Sequence, residues 1–260
     1  MSQKNVKALS NGALNQHTVV HVHTVTLKLV VALLPLISCA AIIGLRNTNF
    51  GVFRRLFTED GLFEYLTSAI YFGAAAVAIV IALAFKRKGR FMLAAAYTLL
   101  TLGLFFVAGE EISWGQRILN IETPSVMLES NTQQELTIHN LEPIQRKLHA
   151  TYVFVGAYGA FLWLLTLPRI ASLRTRITPY VVPRWYLATY FLPVFIFYTH
   201  LEIATRETAW FRHRHPDQEP AEFIMSLGFL LFVLSNRYRQ ILELSLNKCR
   251  LFNVAWRSPD

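Results

Sequence analysis

Six apolar stretches separated by polar segments dominate the hydrophobicity pattern of the chain. They cover residues 25–45, 62–85, 91–108, 151–168, 181–203 and 222–236. A hydrocarbon core of ~30 Å takes roughly 20 helical residues, and backbone groups in lipid must find their hydrogen bonds within the segment. The third and sixth stretches are short by this measure, so we expect their flanks to continue as helix. The pattern predicts an all-α, polytopic membrane helix bundle of about six transmembrane helices; five helices and one interfacial helix are the alternative.

The polar ends frame a single transmembrane domain. We expect residues 1–24 to be a flexible cytoplasmic leader, residues 25–236 to be the transmembrane domain, and residues 237–260 to be a basic cytoplasmic tail. The longest segment between two stretches covers residues 109–150. Because no Pro follows the third stretch directly, this segment is predicted to extend the third helix to the membrane surface. It then folds back over the bundle as a short re-entrant or interfacial helix.

Lys and Arg are divided unequally between alternate connecting segments. With the N-terminus placed inside, the inner segments carry 16 of these residues and the outer segments carry 9. The clearest contribution is the run at residues 86–90 (KRKGR), between two closely spaced stretches. The positive-inside rule therefore predicts that both termini are cytoplasmic. The same bias explains the formal net charge of +9, so the charge does not indicate nucleic acid as a partner, and membrane lipid is the partner we expect.

The acidic residues gather at the opposite face. Fourteen of the 16 lie at residues 59–64, 110–142 and 202–222, each segment beside an apolar stretch. The six-helix topology brings all three segments to the outer side. Ionised carboxylates near hydrocarbon are costly unless they pair, bind a cation or serve function. Nine outer bases cannot neutralise these acids, so we expect at least one bound cation or protonated carboxyl group.

Glu110 and Glu111 directly follow the third apolar stretch, at a helix C-terminus, where the helix dipole disfavours negative charge. On a continuing helix, Glu110 would share a face with Trp114 and Arg117, while Glu111 would point elsewhere. A simple intrahelical ion pair between Glu110 and Arg117 is the alternative. We take Glu110 and Glu111 as candidate catalytic residues, and Trp114 and Arg117 as candidate substrate-binding residues.

Two histidines complete the predicted site. His139 follows Glu135 by one helical turn, a spacing at which a carboxylate and an imidazole can bind one divalent ion; a surface hydrogen bond between them is the alternative. His200 lies about one turn inside the fifth stretch, next to Glu202. We add His139 to the catalytic candidates and Glu202 to the substrate-binding candidates. Glu111, His139 and His200 are the predicted ligands of a divalent metal ion.

Other acidic residues have an ordinary local explanation. Glu219 and Glu222 open the sixth helix, where negative charge complements the helix dipole. Glu59 and Asp60 fit an N-terminal cap of the second helix. Glu64 lies one turn into that helix and lacks such an explanation.

The outer segment carries two stretches that resemble a known group of proteins. Residues 109–117 (GEEISWGQR) and 136–141 (LTIHNL) together resemble a group of uncharacterised bacterial multi-span membrane proteins, and so does the Glu-Asp-Gly opening of the second span at residues 59–61. The likeness extends from about residue 55 to 236. It implies the membrane architecture and a location in a bacterial inner membrane, and it implies no catalytic residue.

Three functions fit these patterns. The first is a metal-dependent enzyme acting on a lipid or lipid-linked substrate at the outer face, where a bound divalent ion generates hydroxide near neutral pH. The second is a non-catalytic membrane subunit or assembly factor whose outer charges form ion pairs, such as Glu202 with Arg206. The third is a cation-coupled transporter, although the acids lie at one face and the sequence has no evident inverted repeat.

Overall fold

The computed structural model describes residues 3–57, 61–116, 118–125, 137–138, 141–168, 175, 177–203 and 215–255. Within these residues the chain is an all-α helix bundle. Six helical segments are long and apolar enough to span a membrane: Val25–Thr48, Leu62–Arg87, Phe91–Glu111, Lys147–Thr166, Thr178–Ile203 and Gln218–Ser245. The prediction of six spans is confirmed, and the third and sixth do continue beyond their apolar stretches.

The helices follow one another in chain order as α1 (Gln3–Thr48), α2 (Phe50–Leu56), α3 (Leu62–Arg87), α4 (Phe91–Glu111), α5 (Glu142–Phe161), α6 (Thr178–Val181), α7 (Ala188–Ile203) and α8 (His215–Ala255). Short 3₁₀ turns lie at Ser113–Gly115, Leu162–Thr166 and Trp185–Leu187. Helix α1 includes most of the leader, and α8 includes most of the basic tail, up to Ala255.

An antiparallel hairpin of α3 and α4 forms one side of the bundle. The turn between them contains Gly89 at φ 68°, a left-handed conformation that glycine adopts without steric cost and that commonly ends a helix. At the far end of the hairpin, the Ser68 hydroxyl donates a hydrogen bond of 2.7 Å to the carbonyl of Ala108. Buried alanines on α3, such as Ala74 and Ala78, allow helices to approach closely.

Helices α5, α7 and α8 pack closely at glycines. A Cβ atom at Gly156 of α5 would lie 2.7 Å from the backbone nitrogen of Phe195 in α7, and one at Gly159 would lie 2.0 Å from the Phe191 ring. Gly228 of α8 meets α7 in the same way at Tyr190. Without a hydrophobic driving force between helices in lipid, small residues at the contact allow the van der Waals packing that holds them together.

The helix pairings place five helices in a row. Helix α4 packs on α3, α3 on α8, α8 on α7, and α7 on α5. The two ends of this row, α4 and α5, do not pack closely against each other. Helix α1 lies outermost, since only 6% of the residues in its most apolar part are buried. The Thr189 hydroxyl of α7 donates a 2.8 Å hydrogen bond to the carbonyl of Ala32 in α1 and so connects the two helices.

We expect Gly156→Ala to lower the free energy of unfolding by about 1–3 kcal/mol, because the added methyl group meets backbone that cannot rotate away. Gly73→Ala is the matched control, since a Cβ atom there meets nothing within 4 Å. Both changes raise helix propensity equally, so their difference isolates the steric term. Denaturant unfolding in micelles measures it, and equal stability of the two variants would show that α5 and α7 do not touch at Gly156.

Candidate carboxylate site

Three carboxyl groups from two helices meet at one end of the bundle. Glu111, Glu219 and Glu222 each place one carboxylate oxygen so that these oxygens all lie within 4.8 Å of one another. Glu111 is the last residue of α4, while Glu219 and Glu222 lie three residues apart near the start of α8 and therefore share a face of that helix. Glu219 and Glu222 are buried and Glu111 is partly buried. We call these three residues the carboxylate cluster.

Repulsion within the carboxylate cluster is large. At the 4.8 Å separation, each pair of unit charges repels by about 3 kcal/mol when the effective dielectric constant is about 20. Among the described residues, the strongest electrostatic influences on Glu111 come from four other carboxyl groups, those of Glu222, Glu219, Glu64 and Glu110. The C-terminal end of α4 adds to the repulsion at Glu111. A bound cation or a proton would relieve this repulsion.

Tyrosines from three further helices surround the carboxylate cluster. The Tyr198 hydroxyl of α7 donates a hydrogen bond to Oε1 of Glu222. The Tyr152 ring of α5 stacks on Tyr198, with a centroid distance of 4.3 Å and an interplanar angle of 10°. Tyr71 of α3 also interacts electrostatically with Glu111 and Glu222. These contacts fix the orientation of Glu222 and bring all the helices of the row to the cluster.

A series of aromatic rings packs beside the cluster. Phe57, which follows α2, stacks on Phe63 of α3 at 4.3 Å, and Phe63 meets Phe223 of α8 edge-on at 4.8 Å. Phe63 precedes Glu64 and Phe223 follows Glu222 in sequence, so the rings hold α3 and α8 in register next to the acidic side chains. Apolar neighbours lower the local dielectric constant and strengthen every electrostatic interaction there.

Glu110 has different contacts from its neighbour Glu111. Its Oε1 accepts a 2.6 Å hydrogen bond from the indole nitrogen of Trp114, and its Oε2 accepts a 2.7 Å hydrogen bond from the backbone N–H of Ile138. The Trp114 ring packs over Gly109, where a Cβ atom would lie 2.7 Å from it. Glu110 therefore anchors the segment that follows α4, a structural role beside the catalytic one predicted for it.

The prediction that α4 continues through residue 117 is wrong. The helix ends at Glu111, and Ser113, Trp114 and Gly115 follow with φ values of 47°, 53° and 77°. Left-handed backbone costs a non-glycine residue roughly 1–2 kcal/mol. The indole hydrogen bond to Glu110 offsets this cost, so the chain turns back without a Pro to stop the helix. Glu110 and Trp114, which were predicted to share a helix face, are in contact nonetheless.

His200 and Glu202 are not part of the carboxylate cluster. His200 lies exposed in the last turn of α7, and in the described part of the chain the group of metal-ligating side chains around Glu111 does not include it. Glu202 is 39% exposed and lies 3.5 Å from Nδ1 of His149, whose ring is 5.4 Å from that of Tyr198. His149 thus connects Glu202 to the tyrosines around the cluster. Arg117 and His139 lie outside the described residues, and so do residues 126–136 of the segment predicted to form a re-entrant or interfacial helix.

No protein-family model matches the chain, and neither a curated protein nor a solved structure does. Function has to follow from the chemistry of the site.

We expect Glu110→Ala to release the segment around Ile138. The substitution leaves the Ile138 amide and the Trp114 indole without this acceptor, and a hydrogen bond to a charged group contributes about 1.5–3 kcal/mol. Hydrogen–deuterium exchange of the peptide containing Ile138 should therefore accelerate by about tenfold or more. Glu202→Ala, at an exposed carboxylate, should leave this exchange unchanged. An unaltered rate in Glu110→Ala would exclude the anchoring role.

Proposed function

We propose that the protein is a cation-dependent enzyme of a bacterial inner membrane, acting on a lipid or lipid-linked substrate at the outer face. The observation that carries this proposal is the approach of three carboxylate oxygens, from α4 and α8, to within 4.8 Å of one another. Among the described residues, the strongest electrostatic influences on Glu111 are those of other carboxylates. Carboxylate oxygens this close together suit a cation that they share.

The donor set favours a hard divalent cation. Carboxylate oxygens suit Mg²⁺ and Mn²⁺, whereas a Zn²⁺ site usually includes His or Cys. We therefore infer that Glu111, Glu219 and Glu222 hold Mg²⁺ or Mn²⁺, with Glu111 retained from the ligands predicted by sequence. His139 follows the anchored Ile138 directly in sequence, and it stays a predicted catalytic residue.

The surrounding residues would tune such a site. When bound, the cation would supply Lewis-acid chemistry and activate water for hydrolysis. The Tyr198 hydroxyl holds Glu222 by a hydrogen bond, and partners of this kind orient a ligating carboxylate. The Tyr152 ring stacked on Tyr198 limits the movement of that phenol and covers one side of the site.

Mn²⁺ binding to the purified protein, followed by electron paramagnetic resonance, tests this proposal. Glu222→Gln keeps the shape of the side chain and removes one charge, so the Mn²⁺ dissociation constant should rise by at least about tenfold, the loss typical even of a partner that does not touch the metal. Tyr198→Phe should weaken binding by less. Glu202→Gln is the matched control and should bind Mn²⁺ as the unmodified protein does.

Two results would contradict the cation site proposed at the carboxylate cluster. If the unmodified protein binds no Mn²⁺ or Mg²⁺ at millimolar concentration, the carboxylate cluster is not a cation site and the proposed function is wrong. If Glu222→Gln and Glu202→Gln bind Mn²⁺ equally, the cation lies elsewhere.

A further inference from the structure

A cavity of about 560 Å³ lies between α4 and α5. The two helices at the ends of the row form its walls, and Phe191 of α7 and Phe229 of α8 contribute to its floor. Two of its lining residues, Leu99 of α4 and Phe154 of α5, are 71% and 70% exposed. The cavity therefore opens sideways, on the surface that surrounding lipid covers if α4 and α5 span the membrane.

The lining of this cavity suits a hydrocarbon chain. Its residues on α4 run from Ala96 to Val107, which at 1.5 Å per residue corresponds to roughly 16 Å along the helix, more than half of a hydrocarbon core of ~30 Å. The Tyr97 and Tyr158 hydroxyls in the wall donate hydrogen bonds to the carbonyls of Tyr180 and Val181. Because these two hydroxyls are hydrogen-bonded within the protein, the surface that an occupant of the cavity would contact is apolar.

One end of the cavity reaches the carboxylate cluster. Tyr71 and Tyr152 line the cavity, and both interact electrostatically with Glu111 and Glu222. Tyr152 also stacks on Tyr198, which donates to Glu222. An occupant with its chain in the cavity would therefore carry its headgroup to the cluster.

We propose that this cavity binds the hydrocarbon chain of a phosphate-bearing lipid, with the phosphate beside Glu111 and Glu222. The headgroup part rests on the proposed function, because carboxylates repel phosphate unless a cation lies between them. Mg²⁺ is commonly bound by one or two carboxylates together with substrate phosphates. The proposal thus narrows the substrate to a lipid phosphate or diphosphate that enters sideways from the bilayer.

Photo-crosslinking in phosphatidylcholine nanodiscs with Mg²⁺ tests the proposal. The probe is phosphatidic acid with a diazirine in one acyl chain, and the comparison probe is diacylglycerol with the same chain. Peptide mapping of the unmodified protein should place the phosphatidic acid label on the walls of the cavity, between Ala96 and Val107 and between Leu148 and Tyr158. Removing Mg²⁺ with a chelator should reduce this labelling to the level of diacylglycerol.

A matched pair of glycine variants tests the chain site itself. A Cβ atom at Gly103, which lines the cavity, meets nothing within 4 Å, and the same holds at exposed Gly73 on α3 outside it. Gly103→Phe places a ring in the cavity and should lower labelling of the walls by about tenfold or more, since even one misfitting methylene group in an apolar pocket changes binding by such a factor. Gly73→Phe should label as the unmodified protein does.

Different results would contradict the lipid-chain site, the phosphate assignment and the proposed function. Labelling spread evenly over the lipid-facing helices and insensitive to Gly103→Phe would overturn the chain site. Equal labelling of the cavity by both probes with Mg²⁺ present would overturn the phosphate assignment. If the protein binds no Mn²⁺ while Gly103→Phe still abolishes labelling of the walls, the proposed function fails and the chain site stands. Retention of Mn²⁺ binding by Gly103→Phe would show that this variant keeps an intact carboxylate cluster.

Discussion

Repulsion among the carboxyl groups of Glu111, Glu219 and Glu222 is the constraint that the surrounding packing has to oppose. Left alone, these groups would separate α4 from α8, because their oxygens lie within 4.8 Å of one another in surroundings that screen charge less well than water. The two helices are held in place by α3, which packs against both. The Phe57, Phe63 and Phe223 rings and the Tyr198 hydrogen bond to Glu222 add local support. Apolar packing elsewhere thus keeps α4 and α8 together beside the carboxylate cluster.

Most of the fold could be predicted from the sequence, because helix formation in a membrane depends on local composition. The six spans follow from apolar length alone, and the structure contains six such helical segments. The end of α4 was not predicted, since the turn at Ser113 and Trp114 depends on a hydrogen bond to Glu110 and on contact with Gly109. Neither contact changes the hydrophobic pattern of the chain.

The carboxylate cluster could be predicted only in part, because its residues come from segments that are far apart in sequence. Glu111 stood out through its position at a helix C-terminus, but Glu219 and Glu222 had a sufficient local explanation in the dipole of α8. Nothing in the chain between them shows that the end of α4 and the start of α8 meet. Tyr152 and Tyr198 gave no signal at all, because a tyrosine inside an apolar stretch is typical of ordinary core packing.

The central claim is that the carboxylate cluster is a cation site, and anomalous diffraction from crystals grown with Mn²⁺ tests it most directly. The account predicts an anomalous peak with oxygens of Glu111, Glu219 and Glu222 within about 2.0–2.6 Å of it, the range of hard-cation coordination by oxygen. A map in which Mn²⁺ binds elsewhere, or in which these three carboxyl groups surround no anomalous density, would contradict the account.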